Sequence, residues 1–497
     1  MTYGISKSRF QKGLQCEKAL WLAVHRRDLA TPPDETQLWI FEQGHEVGHL
    51  ARRLFPGGVE VSEGHLQGAE ALATTRRLIA DGVRVLYEPA FEHDGAFVRV
   101  DILVGADDGS WDLYEVKSST ALKDEHVTDA AMQAWTLEGA GLRVRSVNVV
   151  HLNNTYVWDG GEYDLAALFT VEDVTAMARE FMPQVGPTLA RFQQMLGGPE
   201  PDVMIGRQCT NPYTCDFVAY CHAALPEAHP ITALPALSDE VLHALLRAGI
   251  TSIADVPETF PGLSAQQREV VALVKRGEPL VDSTALAAEL HNLAWPVRHL
   301  DFETVMPALP LWPGTRPYQA VPFQYSLHVH HADGRIEHRQ YLHEGTDDPR
   351  RPLAERLLAD LGSEGSILHY SAYEKTHLRA LRDALPDLAP AFDAVLGRLV
   401  DLLPIVRRHM RHPLAAGSAS IKQVLPAWCP DLTYDGLPIA DGQTASVRYL
   451  RVLRGDVDDA EAASVRADLE RYCALDTLAM SRLLEEMLRL SRNEADA

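Results

Sequence analysis

The amino-acid sequence predicts an α/β protein with two α/β domains and a small helical linker between them. Three observations lead there. At 497 residues the chain is longer than a single core usually organises. Residues 83–117 alternate apolar and polar side chains through "VRVLYEPAF", "AFVRVDILV" and "SWDLYEVKS", which is the period of strands. A second set of strand-like segments begins near residue 295, beyond the Pro-rich stretch "ALPEAHPITALPAL" where the composition changes. The boundaries read as 1–230, 231–290 and 291–497.

The elements follow in order. Residues 1–55 read as helices, with apolar positions at helical spacing in "ETQLWIFEQGHEVGHLARRLF". The turn "ADDG" (106–109) joins the last two of the three strands as a hairpin. A helix is expected at 125–140, a strand at "VRSVNVVHL" and helix again over 165–195. Residues 238–276 form a helical unit centred on "LLRAGITSIADVPE", read either as a phosphate-binding helix-hairpin-helix element or as a plain connecting pair. In the last domain "VRHLDFE", "FQYSLHVHH", "IEHRQYLH" and "SILHYSA" read as strands, with helices after the third and fourth. "DLERYCALDTLAMSRLLEEMLRL" closes the domain as a long helix.

Composition narrows the function. A chain 46% hydrophobic and 23% charged is globular, and no apolar run reaches the ~20 residues of a membrane helix. The N-terminal stretch has no apolar core followed by a small-residue cleavage site, so a cytoplasmic location is expected. The net charge of −23 argues against a globally basic nucleic-acid binder, though carboxylates that hold divalent ions add to that count. Two local basic patches stand out, Lys7, Arg9, Lys12 and Lys18, and Arg407, Arg408 and Arg411; solvated faces explain either equally well. The G-x-x-x-x-G-K-[ST] phosphate loop of an ATP motor is missing. His328, His330, His331, His338 and His343 invite a zinc reading, but they lie on an apparent hairpin beyond the acidic motif and are expected on solvated strand faces.

Asp101 and Glu115 are equidistant from the hairpin turn, so they should face one another, and Lys117 shares a strand face with Glu115. Facing carboxylates repel unless a cation lies between them, and a lysine beside them can stabilise a phosphate or act on water. Together with Gln133 on the next helix, "RVDILV" and "YEVKSS" resemble the PD-(D/E)XK nucleases of the RecB-type branch, which have a restriction-endonuclease-like fold. The resemblance implies metal binding by Asp101 and Glu115, assistance to the nucleophilic water by Lys117, and a supporting role for Gln133. Two positions depart from the family pattern. Gly48 stands where a metal-binding histidine is usual, with His45 and His49 nearby, and Leu137 stands where tyrosine is usual.

The six cysteines form no disulfide framework, and Cys429 and Cys473 read as core residues. Cys209, Cys215 and Cys221 are evenly spaced, and Cys16 lies far upstream in "SKSRFQKGLQCEKALWL". Some RecB-type nucleases carry this one-plus-three layout around a [4Fe–4S] cluster, and the resemblance implies such a cluster here with a structural role. Four thiolates alone serve zinc equally well.

In "HLDFETV", Asp301 and Glu303 share one strand face; Glu374 opens a later helix; Tyr472 and Asp476 form an i, i+4 pair near the end. This order resembles the DEDD 3′–5′ exonucleases of the DnaQ-like, RNase H-like fold, in the branch marked by Tyr. It implies Mg²⁺ or Mn²⁺ on Asp301, Glu303, Glu374 and Asp476, with Tyr472 near the attacking water and Asp401 structural. Glu374 replaces the usual aspartate, which moves that carboxylate by roughly one bond length. The whole chain resembles a bacterial family that joins these two domain types. It implies a metal-dependent nuclease acting on DNA in repair or defence, with RNA as substrate and a helicase or larger repair or defence complex as partner left open. A non-catalytic nucleic-acid-binding scaffold is the alternative.

Overall fold

The computed structural model describes residues 4–64 and 67–492, which divide into two compact units. The first runs to Ala223 and also takes in Pro307–Gln319; the second comprises Ala224–Met306 and the chain from Ala320 onward.

The strands of the first unit are β1 (Ile5–Ser6), β2 (Val59–Glu60), β3 (Val85–Tyr87), β4 (Ala90–His93), β5 (Ala96–Arg99), β6 (Ile102–Gly105), β7 (Trp111–Lys117), β8 (Val144–Leu152) and β9 (Phe169–Asp173). Six form a mixed sheet in the order β2-β3-β6-β7-β8-β9, and three form a smaller sheet, β1-β5-β4. The β6–β7 hairpin is antiparallel, and its turn is tightened by Gly109 at φ 77° and by Asp108, whose Oδ1 accepts the Ser110 N–H at 3.0 Å. The Asp124–Gly139 helix then crosses over to place β8 parallel to β7. It buries Ala130, Ala131, Met132, Ala134 and Leu137 in the main core of this unit.

Two expectations are corrected here. The run 96–104 is interrupted at Val100–Asp101, so β5 and β6 belong to different sheets. Val100, Ile102 and Leu103 are all buried, which strict alternation along one strand cannot achieve. Residues 169–173, expected to be helical, form the edge strand β9. The short Leu165–Leu168 helix, capped by Asp164, ends there because pairing with the buried strand β8 prevails over local preference.

The Pro307–Gln319 segment completes an apolar cluster of the first unit. Ala308, Leu309 and Tyr318 pack with Val47, Ala51, Ile102, Val150 and Phe169. Buried Gln43 accepts the Ala308 N–H at 2.7 Å. The N-terminal basic residues each have a partner of their own. Lys7 pairs with Glu115 at 2.8 Å, Lys12 with Asp216 at 2.6 Å and Lys18 with Glu200 at 2.8 Å, while Arg9 donates to the Gly4 carbonyl.

The second unit contains β10 (Leu280–Val281), β11 (Val297–Val305), β12 (Val321–His330), β13 (Ile336–Leu342), β14 (Ile367–His369), β15 (Leu399–Asp401) and β16 (Met410–Arg411). Five strands form a sheet in the order β13-β12-β11-β14-β15, in which β12 is antiparallel to both β11 and β13, and β14 and β15 run parallel to β11. β10 and β16 pair separately. The Asp459–Ser491 helix starts at Asp458, whose side chain accepts the Glu461 N–H at 2.8 Å. Its buried residues, among them Val465, Leu469, Tyr472, Met480, Leu484 and Met487, recur every three or four positions along one face.

Every residue of β12 is buried, which overturns the expectation of solvated histidines at 328 and 330. Tyr325, Leu327 and Val329 face the apolar core with Leu353 and Leu357 of the Arg350–Leu361 helix. The alternate face meets the C-terminal helix through hydrogen bonds: Gln324 to the Leu469 carbonyl, Ser326 and His328 to Thr477, and Ser481 with His330. His343 is also buried, whereas His338 is exposed. Arg408 and Arg411 are ion-paired with Glu289 and Glu269. The Asp239–Arg247 and Ala265–Arg276 helices are joined by a turn at Gly249, a 3-10 turn (Ile253–Asp255) and a further loop rather than by a tight hairpin.

Candidate functional site

The first candidate site lies at the end of the β6–β7 hairpin. Ile102 pairs with Tyr114, so Asp101 lies one step beyond that register, and its Oδ2 accepts the Val116 N–H at 2.6 Å. Glu115, 1% exposed, receives both Lys117 Nζ (2.7 Å) and Lys7 Nζ (2.8 Å) on one oxygen. Its other oxygen accepts from Gln133 Nε2 at 2.7 Å. Lys117 also reaches Asp129 at 2.6 Å. Asp129 and Gln133 are four apart on the Asp124–Gly139 helix and therefore share a face. The predicted Asp101, Glu115, Lys117 and Gln133 thus come together, joined by Lys7, read from the sequence only as part of a basic patch, and by Asp129, which the sequence did not single out. His45 and His49 are exposed on the Glu35–Ala51 helix, and Leu137 is core.

The electrostatics separate the two facing carboxyls. Burial and the neighbouring Glu115 push Asp101 up to about 8. Burial also pushes Glu115 upward, but Lys117 and Lys7 outweigh it and hold that carboxyl below the ordinary range. Glu115 is therefore fully ionised and already neutralised by two ammonium groups.

The second candidate site rests on β11 and two helices. Asp301 and Glu303 project from β11 immediately before a β-bulge between Glu303 and Thr304. Glu374, 2% exposed, sits in the first turn of the Tyr373–Ala384 helix. Ser371, which leads into that helix, is held at φ 91°. Asp401 Oδ1 accepts the Ser371 N–H and also caps the following helix, which fits its expected structural role. The Tyr373 and Thr304 hydroxyls, 2.6 Å apart, tie this helix to β11.

The C-terminal helix brings Tyr472, Cys473 and Asp476. Asp476 accepts from Tyr434 Oη at 2.7 Å and also hydrogen-bonds with Tyr472. Burial and mutual repulsion push Asp301 and Glu303 well above the carboxylate range. Burial lifts Asp476 to about 6, against the hydrogen bonds from Tyr434 and Tyr472 and the charge of Lys422. Lys422 donates to the Ala440 carbonyl at 2.8 Å and lies 5.8 Å from the Tyr472 ring centre and 5.9 Å from that of Tyr434. Among the described residues, the set of three or more metal-binding side chains with ligand atoms all within 4.8 Å is Asp301, Glu303 and Cys473. The structure thus places Cys473, expected to be an ordinary core residue, against Asp301. Its position beside Tyr472, on the helix that carries Asp476, was the available signal.

Cys16, Cys209, Cys215 and Cys221 all line one small cavity of the first unit, beside Lys18. Burial pushes the thiols of Cys215 and Cys221 up. These four are not drawn into a set within 4.8 Å, the closeness that four ligands about 2.3 Å from a single zinc would show.

Residues 298–420 are similar to a family described as a domain of unknown function (DUF2779). The match covers about a quarter of the chain and includes Asp301, Glu303 and Glu374 but neither Tyr472 nor Asp476. No curated protein matches the chain.

Proposed function

We propose that the protein is a metal-dependent nuclease that hydrolyses DNA phosphodiester bonds, with its main hydrolytic centre at Asp301, Glu303, Glu374 and Asp476. One observation carries this reading. Three of these carboxyls, Asp301, Glu303 and Asp476, are pushed above their ordinary range by desolvation and by their acidic neighbours, and Lys422 bears on Glu303 and Asp476. Hard oxygen donors gathered in this way fit Mg²⁺ or Mn²⁺. When bound, such ions supply polarisation of the phosphodiester and activation of water. The chain's own groups hold the arrangement: Tyr434 and Tyr472 fix the Asp476 carboxyl, and the Tyr373–Thr304 contact fixes the start of the Glu374 helix. The strand order β13-β12-β11-β14-β15 supports an RNase H-like fold for this unit, and the β6–β7 hairpin followed by a crossover helix and parallel β8 supports a PD-(D/E)XK fold for the first.

A second reading concerns the first centre. The two lysines on one oxygen of Glu115 favour a site that grips phosphate over one that cuts. The four cysteines share one cavity, and we propose that they hold a [4Fe–4S] cluster, with zinc as the alternative. Iron analysis of anaerobically purified protein checks this, and zinc in place of iron would refute it. The setting we propose is DNA repair or defence, in company with a helicase or larger assembly.

The test is Mn²⁺-dependent degradation of single-stranded DNA labelled separately at each end. Asp476→Ala is expected to lower the rate by at least ~10²-fold, the scale of losing one essential catalytic group. Lys117→Ala would abolish a separate set of products if the first centre cuts, and would weaken strand binding alone if it grips. Absence of cleavage by the wild-type protein on both DNA and RNA would replace this proposal with a scaffold role.

A further inference from the structure

The second centre contains one side chain that an all-carboxylate site does not require. Cys473 is completely buried, yet its Sγ lies against a carboxylate, 3.7 Å from Asp301 Oδ2. Ligand atoms of Asp301, Glu303 and Cys473 all lie within 4.8 Å of one another. A second feature fits a cation at this site. Glu374, 2% exposed and hydrogen-bonded to Asp301 through its carboxyl, has an Oε2 with no hydrogen-bond donor. The nearest basic atom, His369 Nδ1, stands 3.4 Å from that oxygen and hydrogen-bonds the Ser371 carbonyl instead.

We propose that Asp301, Glu303 and Cys473 form a binding site for a thiophilic divalent cation of the zinc class, with sulfur as one ligand. The donor chemistry distinguishes the ions. Mg²⁺ takes oxygen donors and gains nothing from a thiol, whereas Zn²⁺ and Cd²⁺ bind thiolate strongly and accept carboxylates beside it. On binding, the Cys473 thiol releases its proton to solvent and the sulfur lone pair forms the metal bond, so nothing is oxidised or reduced. A core cysteine of no consequence would pack against carbon; this one packs against the two carboxylates of β11. An ion held there occupies the position proposed for the hydrolytic metal and blocks it. That competition rests on the nuclease reading, whereas the binding does not.

Cadmium NMR of the full-length protein, with Cd²⁺ as the probe, tests the site directly. The expected result is a resonance for mixed sulfur–oxygen ligation, distinct in shift from any all-sulfur site. It disappears in Cys473→Ser, while Glu303→Gln, which keeps the thiol, weakens that binding at least tenfold. Persistence of the mixed resonance in Cys473→Ser, or an all-sulfur resonance alone in the wild type, overturns the proposal. If Cys473→Ser fails to fold, Glu303→Gln decides: undiminished Cd²⁺ affinity at the mixed site rejects it. Mixed-ligand binding without any Mn²⁺-dependent cleavage upholds this site and counts against the nuclease reading instead.

Discussion

At the scale of single residues, the two centres solve the same problem of crowded carboxyls differently. The first uses resident lysines and leaves Asp101 raised to about 8. An aspartate in the unfolded chain ionises near pH ~4, so between those values the folded protein holds the extra proton. The contribution of Asp101 to metal-free stability is therefore complete below pH ~4 and falls as pH rises through about 8. Thermal unfolding without divalent ions, from pH 5 to pH 9, should show this fall in the wild type and a smaller one in Asp101→Asn. Mn²⁺ should stabilise the wild type more at pH 8.5 than at pH 6, because it favours the ionised carboxyls. In the second centre the Tyr434 hydroxyl holds Asp476 down against burial. A hydrogen bond to a charged group contributes ~1.5–3 kcal/mol, and one pKa unit is about 1.4 kcal/mol. Tyr434→Phe should therefore move the acid limb of the pH–rate profile upward by about one unit, with the alkaline limb unmoved.

At the scale of elements, the legible parts were those whose period matches their surroundings. The strand-like segments from 297 to 370 and the long C-terminal helix stand where alternation and three-to-four spacing put them. What escaped reading depends on tertiary partners. The break at Asp101 follows from a buried run that one strand cannot satisfy, and β9 exists because β8 offers it an edge. His328 and His330 look solvated in one dimension, but the C-terminal helix, some 150 residues later, supplies Thr477 and Ser481 to receive them. Lys7 joins Glu115 across 108 residues, which no local pattern encodes. Cys473 was hidden because its neighbour Asp301 lies 172 residues away in the chain. The Glu35–Ala51 helix is readable for its capping box, in which Asp34 and Gln37 exchange hydrogen bonds, yet it contains Gly44 and Gly48 with open space where a Cβ would stand. Glycine weakens a helix interior by ~0.5–1 kcal/mol relative to alanine. Gly44→Ala and Gly48→Ala should each stabilise the protein by about that amount, measured as a higher denaturant midpoint with unchanged slope.

At the scale of the whole molecule, the decisive feature is that Pro307–Gln319 belongs to the first unit although the sequence on either side belongs to the second. A linear reading of domains did not mark it: its prolines at 307, 310, 313 and 317 read as a break within one domain, and its meaning lies in the cluster it completes. A fragment ending at residue 223 would lack Ala308, Leu309 and Tyr318 and would expose the apolar faces they cover. Such a fragment should melt well below the corresponding transition of the full chain and bind a hydrophobic dye, and adding back the 307–319 peptide at high concentration should recover part of the difference. Equal melting of fragment and full chain would show the segment to be dispensable. The same feature sets a timetable for synthesis. The first unit has almost all its residues once Ala223 has been added, but its last piece arrives about a hundred residues later. At translation rates of ~5–20 residues per second, the nascent chain waits ~5–20 s with an unfinished apolar surface. A pause in translation before residue 319 would lengthen that exposure.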